Sequence, residues 1–207
     1  MKQITIYSEK LEQLFKSLKN SLATDESRPI LKWIKVEVEN ENLTAIALDG
    51  YMMSTVKLQA MEKTEFGKEK YSFYIKPFYI PKYRAGCEVT FNCDNENYIV
   101  VTVKPITKKD TLVYTFYQPT EKFIDWEKVL PETSKELRVS LDAVKLIRLL
   151  KGFESKDIKN NMVTLSFVAK EKGTGINPIS PVLLEQKTKN GIKKEAILLP
   201  IRNLEDE

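Results

Sequence analysis

The chain has 207 residues, which is enough for one large domain or two domains of about 100 residues each. Apolar residues make up 42% and charged residues 30%, as in a globular protein that buries a core, and no segment approaches the roughly 18 apolar residues of a membrane span. The net charge of +4, from 33 basic and 29 acidic side chains, is too weak to identify a nucleic-acid-binding protein without knowing where the lysines lie.

The chain contains no histidine, and this argues against most classes of enzyme. A Ser-His-Asp or Cys-His site is impossible, and the sequence has no glycine-rich phosphate-binding loop. Cys87 and Cys93 lack the further thiolates or histidines of a zinc site, so we interpret both as reduced, partly buried residues of a cytoplasmic protein. An enzyme acting on nucleotides or nucleic acid would need a metal or phosphate site, which we do not find. We therefore expect a non-enzymatic protein without metal or cofactor.

The first part of the chain predicts a strand, a helix and three further strands. Residues 2–7 alternate between polar and apolar, and Ser8 is a suitable N-cap for the helix that follows. Apolar residues then recur at helical spacing: Leu11, Leu14, Phe15, Leu18 and Leu22. Three strands are predicted at 31–38, 42–48 and 51–58. Asp49-Gly50 is a strong signal for a tight turn between the last two.

A degraded copy of the same unit follows a polar linker at 61–69. Residues 71–75 form its first strand, and residues 76–83 occupy the place of the helix. Pro81 limits any helix there to about one turn. Strands are predicted at 87–93, 97–103 and 111–118. Residues 1–119 are accordingly interpreted as one domain built from two such units.

A third copy begins in the shorter second domain, which we place at 120–207. It has a predicted strand at 137–139 and a helix that Ser140 caps and Gly152 ends. Further strands are predicted at 162–169, 181–188 and 193–201.

Basic residues recur on the outer sides of the two strongest helices. With Ser8 set against Ser140, Lys16 corresponds to Arg148 and Lys19 to Lys151. All four lie away from the leucine stripes. They form either a solvated face or a surface that attracts DNA phosphates without reading bases.

Four separated segments resemble the bacterial sliding clamp family, the beta subunit of DNA polymerase III. They are Arg28-Pro29-Ile30-Leu31, the stretch from Leu43 to Tyr51, the stretch from Phe123 to Pro131, and Ile197-Leu198-Leu199-Pro200-Ile201-Arg202. The resemblance implies an α+β DNA-clamp fold of repeated strand-helix-three-strand units, with helices lining a ring around DNA. It also implies that 1–119 is similar to the central domain and 120–207 to a shortened C-terminal domain, without the family's first domain.

The resemblance further implies a processivity factor that encircles double-stranded DNA independently of sequence, and that self-associates to do so. Its partners would be a DNA polymerase or clamp-loader proteins, bound through a short linear motif. Carried over by position, an apolar cleft for that motif would contain Leu31, Leu48, Tyr51, Met53, Ile124, Val129, Pro181, Ile197 and Leu199. Tyr51 follows a turn, where a surface anchor is more expected than a core aromatic. The alternative is a clamp-fold interaction module, or decoy, that binds such motifs without enclosing DNA.

Overall fold

The computed structural model describes residues 2–39, 42–59, 70–107, 110–129, 139–153, 162–168, 176, 180–187 and 193–200. The chain divides into two units, Met1–Asp125 and Trp126–Glu207. Residues 120–125 belong with the first unit, where the ring of Phe123 lies 5.9 Å from that of Tyr74.

The first unit contains eight strands and one α-helix among its described residues. They are β1 Gln3–Tyr7, α1 Ser8–Leu18, β2 Ile34–Glu39, β3 Asn42–Leu48, β4 Met53–Gln59, β5 Tyr71–Ile75, β6 Cys87–Asn92, β7 Tyr98–Pro105 and β8 Leu112–Tyr117. Two 3-10 turns, at Lys19–Ser21 and Pro29–Lys32, connect α1 to β2. The predicted order of elements is therefore confirmed in this unit, although the 3-10 turn at Pro29–Lys32 delays the start of β2.

Two four-stranded antiparallel sheets, β4-β3-β2-β5 and β1-β6-β7-β8, form this unit. Each sheet takes one strand from the other half of the unit. β5 pairs with β2, placing Val36 opposite Phe73, and β1 pairs with β6, placing Ile6 opposite Val89. The two halves, β1 to β4 and β5 to β8, are joined by this exchange of their first strands.

The hydrophobic core lies between the two sheets and α1. The predicted helical stripe is confirmed, since Leu11, Leu14, Phe15 and Leu18 are all buried in this core. Phe73 of β5 and Phe91 of β6 connect the two sheets, with ring centroids 5.6 Å apart. Burying such aromatic side chains dominates the stability of a small core.

Both predicted helix N-caps are wrong. Ser8 is the first residue of α1, and its Oγ accepts a hydrogen bond from the backbone N–H of Cys87 at 3.0 Å, which ties α1 to β6. In the second unit the cap is Asp142, whose Oδ1 accepts from the Lys145 N–H at 3.0 Å. Gly152 ends that helix as predicted, with its N–H donating to the Leu149 carbonyl.

Residues 76–82 contain no helical turn, where the sequence allowed at most about one. Pro77 and Pro81 remove backbone donors and restrict the residues before them to extended conformations. Aromatic contacts hold the segment in place instead. The Phe78 ring meets that of Phe15 on α1 edge-on at 5.2 Å, and the Tyr79 carbonyl accepts from the Tyr114 hydroxyl at 2.7 Å.

The second unit has one helix and one sheet among its described residues. A 3-10 turn at Trp126–Val129 is followed by α2 Ala143–Lys151, β9 Thr164–Ser166, β10 Val182–Lys187 and β11 Lys193–Leu198. The sheet has the order β11-β10-β9, and its strands are shorter than predicted. Its core contains Phe153, Val182, Leu184 and Leu198, against which α2 packs. Residues 137–138 of the predicted first strand lie outside the described residues, and Val139 packs against this core.

Neither helix in the described part of the chain is long and apolar enough to cross a membrane.

The two cysteines are free thiols in the buried part of the first unit. Burial raises the pKa of Cys87, and burial together with the neighbouring Asp94 carboxylate raises the pKa of Cys93 to about 12. At pH 8 only about one Cys93 in 10⁴ would then be a thiolate, the form that reacts. We expect a thiol reagent such as DTNB to modify Cys93 at least 100-fold more slowly in the native protein than in urea. Equal rates would show that the thiol is accessible.

Candidate partner-binding and DNA-facing surfaces

The loop between β3 and β4 presents a protruding aromatic side chain. The predicted two-residue turn at Asp49-Gly50 is instead a four-residue loop, closed by the Asp49 N–H donating to the Met52 carbonyl at 3.1 Å. Asp49 Oδ1 accepts from the backbone N–H groups of Tyr51 at 2.8 Å and Met52 at 2.7 Å. Gly50 has a φ of +99°, which favours glycine. The loop leaves Tyr51 99% exposed, with exposed Met52 beside it.

Two apolar residues of the predicted cleft are buried within the first unit. Leu31 and Leu48 are both buried, and the 3-10 turn that carries Leu31 lies against β3. The Ala23 N–H donates to the Leu31 carbonyl at 3.1 Å, and the Ile30 N–H donates to the Glu121 carboxylate at 3.2 Å. The second bond brings the segment before Ile124 to this turn, and Ile124 itself is exposed.

The nine residues predicted for a cleft differ in accessibility. Leu31 and Leu48 are buried and Met53 is half-buried, whereas Tyr51 and Ile124 are exposed. In the second unit Pro181, Ile197 and Leu199 are exposed, Leu199 by 67%. Val129 lies in the 3-10 turn Trp126–Val129, and its side chain is outside the described part. Their assembly into one cleft stays a prediction. The predicted set did not include Met52, which is exposed beside Tyr51. Its position next to Tyr51 in the same loop was the signal in the sequence that could have indicated it.

Asp49 is expected to determine how well the loop is ordered. The two backbone hydrogen bonds lower the pKa of Asp49 from its ordinary value of 3.8. The stability that Asp49 contributes is therefore fully present at pH values above 3.8. It is lost as the pH falls through the lower pKa that Asp49 has in the folded protein. We expect Asp49→Ala to lower the free energy of unfolding by about 1 kcal/mol at pH 7.

Urea unfolding at pH 7 and pH 2 measures this difference, with wild type compared with the variant at each pH. Asp49→Asn keeps an acceptor oxygen but not the charge and serves as the control: relative to wild type it should lose less stability than Asp49→Ala at pH 7 and little at pH 2, where the wild-type carboxyl is also becoming uncharged. A loss in Asp49→Ala that is unchanged at pH 2 would mean that the ionised carboxylate is not what orders the loop.

Each helix presents exposed basic residues on the side away from its core. Lys16 and the following Lys19 are exposed in the first unit, and Arg148 and Lys151 are exposed on α2. Neither pair falls among the core-facing residues of its helix, as the sequence predicted. The exposed positions allow phosphate contacts without any base-specific element.

The alignment of α2 with α1 that was predicted from the sequence is wrong by three residues. The N-caps are Tyr7 and Asp142, an offset of 142 − 7 = 135, whereas setting Ser8 against Ser140 gave 132. The new offset matches the core-facing residues in pairs: Leu11 with Leu146, Leu14 with Leu149, Phe15 with Leu150 and Leu18 with Phe153. Lys16 then corresponds to Lys151, and exposed Lys10 corresponds to exposed Lys145. The sequence reasoning missed this second pair because it placed both caps on serine hydroxyls.

Within the described ranges, no group of three acidic, cysteine or histidine side chains is arranged to hold a metal ion.

Comparison with known proteins gives matches among solved structures. No family model and no curated protein matches the chain. The DNA polymerase sliding clamp from Bacillus subtilis matches with a TM-score of 0.72 at 15% identity, over 97% of this chain and 49% of that one. The DNA polymerase III beta chain from Streptococcus pneumoniae TIGR4 has the same TM-score and identity over 98% of this chain and 50% of that one. The beta subunit from Thermotoga maritima matches with a TM-score of 0.69 at 16% identity, over 98% and 52%.

The chain therefore has the sliding-clamp fold, as the sequence predicted, in a form that spans about half the length of the structures it matches. The α+β architecture of two sheets per complete unit agrees with this result.

Proposed function

We propose that this protein is a non-enzymatic processivity factor that tethers a DNA polymerase or a related replication protein to DNA. The observation that supports this most is the sliding-clamp fold over 97% of the chain, shared with structures described as DNA polymerase sliding clamps. In this proposal the first unit corresponds to the family's central domain and the second to a shortened C-terminal domain. Enclosure of the duplex, rather than tight contact, would retain the protein on DNA.

DNA would be attracted through a few exposed cations. Lys16, Lys19, Arg148 and Lys151 lie on helix faces free of core residues, and the net charge of the chain is only +4. Contacts of this kind neutralise phosphates and release counterions, so binding would be weak, independent of base sequence and sensitive to salt. Weak phosphate attraction is also what sliding requires, because a base-specific contact would halt the protein at one site.

A replication partner would bind at the apolar loop of the first unit. Tyr51 is the most exposed aromatic side chain described, and Met52 and Met53 extend its apolar surface. Tyrosine is enriched among the residues that dominate binding energy, and methionine adapts to different partner side chains. The resemblance assigns exposed Ile197 and Leu199 of the second unit to the same function. The ligand would be a short apolar motif of a polymerase or clamp-loader protein.

Self-association through an exposed sheet edge is part of the proposal. β8 is an outer strand of its sheet and exposes Val113 and Tyr117. Exposed outer strands are usually paired or otherwise protected in natural sheets. We propose head-to-tail pairing through the sheet edges of successive copies, which closes into a ring only when the rotation between copies allows it.

A decoy that binds the same motifs without enclosing DNA is the second candidate function. The weak net charge favours it, as does the presence of Glu9 and Glu12 on the same helix as Lys16. The two functions differ in assembly state, because a decoy can act as a monomer whereas a ring requires several copies.

Titration of a fluorescent clamp-motif peptide tests the partner-binding part of the proposal. We expect saturable binding to the unmodified chain, detected as a rise in fluorescence anisotropy. A peptide of the same composition in scrambled order is the control and should not bind. Absence of saturation with the correct peptide would contradict both the tether and the decoy.

A further inference from the structure

A groove lies between α1 and the segment at 76–82, on the helix side of the first unit. Its volume is about 770 Å³, which is within the range of small-ligand sites in proteins. Side chains of α1 form one wall, and side chains between 78 and 82 form the other. Every residue that lines the groove belongs to the described part of the chain. The groove exists because an extended, proline-containing segment, rather than a helix, lies beside α1.

Tyr79 is an exposed aromatic side chain on a restrained backbone. The side chains before and after it point to the core, since Phe78 packs on α1 and Ile80 is buried. Tyr79 lines the groove and is 70% exposed. Its carbonyl accepts a hydrogen bond from the Tyr114 hydroxyl at 2.7 Å, and Pro81 restricts the residue before it to extended conformations. A ring held in this way loses little backbone freedom when it binds a ligand.

Cationic and hydrogen-bonding side chains line the same groove. Lys16, which we propose to face DNA, lies on one wall and Lys82 on the other. Gln13 offers an amide donor and acceptor, whereas Glu9 and Glu12 offer only acceptor oxygens. Lys16 follows Glu12 by one helical turn and Glu9 by two, about 6 and 10 Å along the axis. The carboxylates would repel a phosphate, so phosphate contact is confined to the lysines, while acidic oxygens can accept from the exocyclic amino groups of bases.

This combination suits an unpaired nucleotide better than a base pair. In a duplex the faces of each base are covered by its neighbours, so an aromatic side chain at the surface meets only sugars and phosphates. In a single strand a base can turn into the groove and stack on the Tyr79 ring, while the lysines contact the phosphates on either side of it. Stacking of this kind is available to every base and therefore tolerates any sequence.

We propose that this groove binds an unpaired nucleotide of single-stranded DNA, with the base stacked on Tyr79 and phosphates at Lys16 and Lys82. The site gives the protein an affinity for single-stranded stretches, such as the template beside a primer end, which enclosure of a duplex does not supply. The inference rests on the proposed function only in placing Lys16 on the DNA side. It does not involve the nine residues predicted for the partner cleft, since none of them lines this groove.

Fluorescence anisotropy with a labelled linear oligonucleotide of about 12 nucleotides tests the proposal. We expect the single strand to bind at least tenfold more tightly than a blunt duplex of the same length. Tyr79→Ala should raise the Kd for the single strand by about tenfold, the effect of losing one stacked base, and leave the duplex Kd within twofold. Tyr79→Trp keeps an aromatic face and should retain tight binding. Tyr7→Ala, at an exposed tyrosine outside the groove, is the matched control and should change neither Kd.

Salt dependence tests the two lysines separately from the tyrosine. For a single strand, each phosphate contact contributes about −0.7 to the slope of the logarithm of the binding constant against the logarithm of salt concentration. Lys16→Ala with Lys82→Ala should therefore make the slope less steep by about 1.4. Tyr79→Ala should weaken binding without changing the slope, because stacking releases no counterion. Lys57→Ala with Lys104→Ala, at exposed cations outside the groove, is the control and should leave the slope unchanged.

The site is overturned if the single strand binds no more tightly than the duplex, or if Tyr79→Ala leaves the single-strand Kd unchanged, as it would if the groove held a protein segment instead. Its failure is distinguishable from failure of the tether. A protein that is retained on closed circular DNA but shows no preference for short single strands lacks this site and keeps the tethering function. A protein that prefers single strands through Tyr79 but binds closed and cut circles equally has the site and is not a tether.

Discussion

Replacing Lys16, Lys19, Arg148 and Lys151 together with glutamate is expected to abolish retention of the protein on DNA. The change alters the net charge from +4 to −4, since four reversals change it by eight. It also places repulsive charges on the helix faces proposed to meet phosphates. If each cation neutralises one phosphate, the logarithm of the binding constant of the unmodified protein should fall with the logarithm of salt concentration with a slope of about −3.6. Filter retention or electrophoretic mobility across a salt series measures both effects.

A control with the same change in total charge distinguishes local contact from general attraction. Four exposed cations outside the two helices are suitable for reversal to glutamate: Lys57, Arg84, Lys104 and Lys122. We expect this variant to keep most of the retention, while both variants keep the circular dichroism spectrum of the unmodified protein because all eight side chains avoid the core. Equal loss in the two variants would contradict the assignment of the helices to the DNA side.

The second large effect is expected at the apolar residues proposed to bind a replication partner. Met53→Ala combined with Leu199→Ala should weaken binding of a clamp-motif peptide by about 2–4 kcal/mol. This is the magnitude expected when two residues that dominate the binding energy of an interface are truncated. This corresponds to an increase in Kd of about 30- to 900-fold. Met53 begins β4 directly after the Tyr51 loop, and Leu199 follows β11 and is exposed, so truncation of either leaves the cores intact. Fluorescence anisotropy with the labelled peptide measures Kd for each single variant and for the pair.

Tyr79 offers a matched control for this experiment. It is an exposed tyrosine of the first unit, 70% accessible, and lies beside α1 rather than at the β3–β4 loop. Tyr79→Ala should leave the peptide Kd within twofold of the unmodified value. A double variant at Met53 and Leu199 that binds the peptide as tightly as wild type would remove these residues from the binding site.

The strands and the helices were predictable because their apolar residues follow strict periods. The alternation in β2 and the leucine spacing of α1 each indicate one buried side, and the structure buries that side. The exposure of Tyr51 followed from the Asp-Gly turn signal, even though the loop is two residues longer than predicted. The local sequence pattern was sufficient to predict an element wherever its burial follows from the spacing of neighbouring residues.

The errors occur where a residue forms a contact with a distant part of the chain. Ser8 has the chemistry of an N-cap, but its hydroxyl binds a backbone N–H 79 residues away, so only the folded chain reveals its partner. Asp142 and Ser140 are both suitable caps, and the side chain that accepts the helix N–H in the folded chain is that of Asp142. The resemblance places Leu31 in a partner-binding cleft, yet the 3-10 turn that carries it packs against β3 and buries its side chain. Accessibility of an apolar side chain depends on such packing, which periodicity does not encode.

The most direct test of the tethering account is sedimentation of the protein with primed circular DNA, before and after the circle is cut. If the protein encloses the duplex, it should sediment with the circle, remain there at a salt concentration that abolishes simple phosphate binding, and leave when a restriction enzyme provides a free end. The cut changes no base sequence and no phosphate contact, so release depends on topology alone. A protein that stays at its single-chain mass of 23.9 kDa beside the intact circle, or that binds cut and closed DNA equally, would contradict the account.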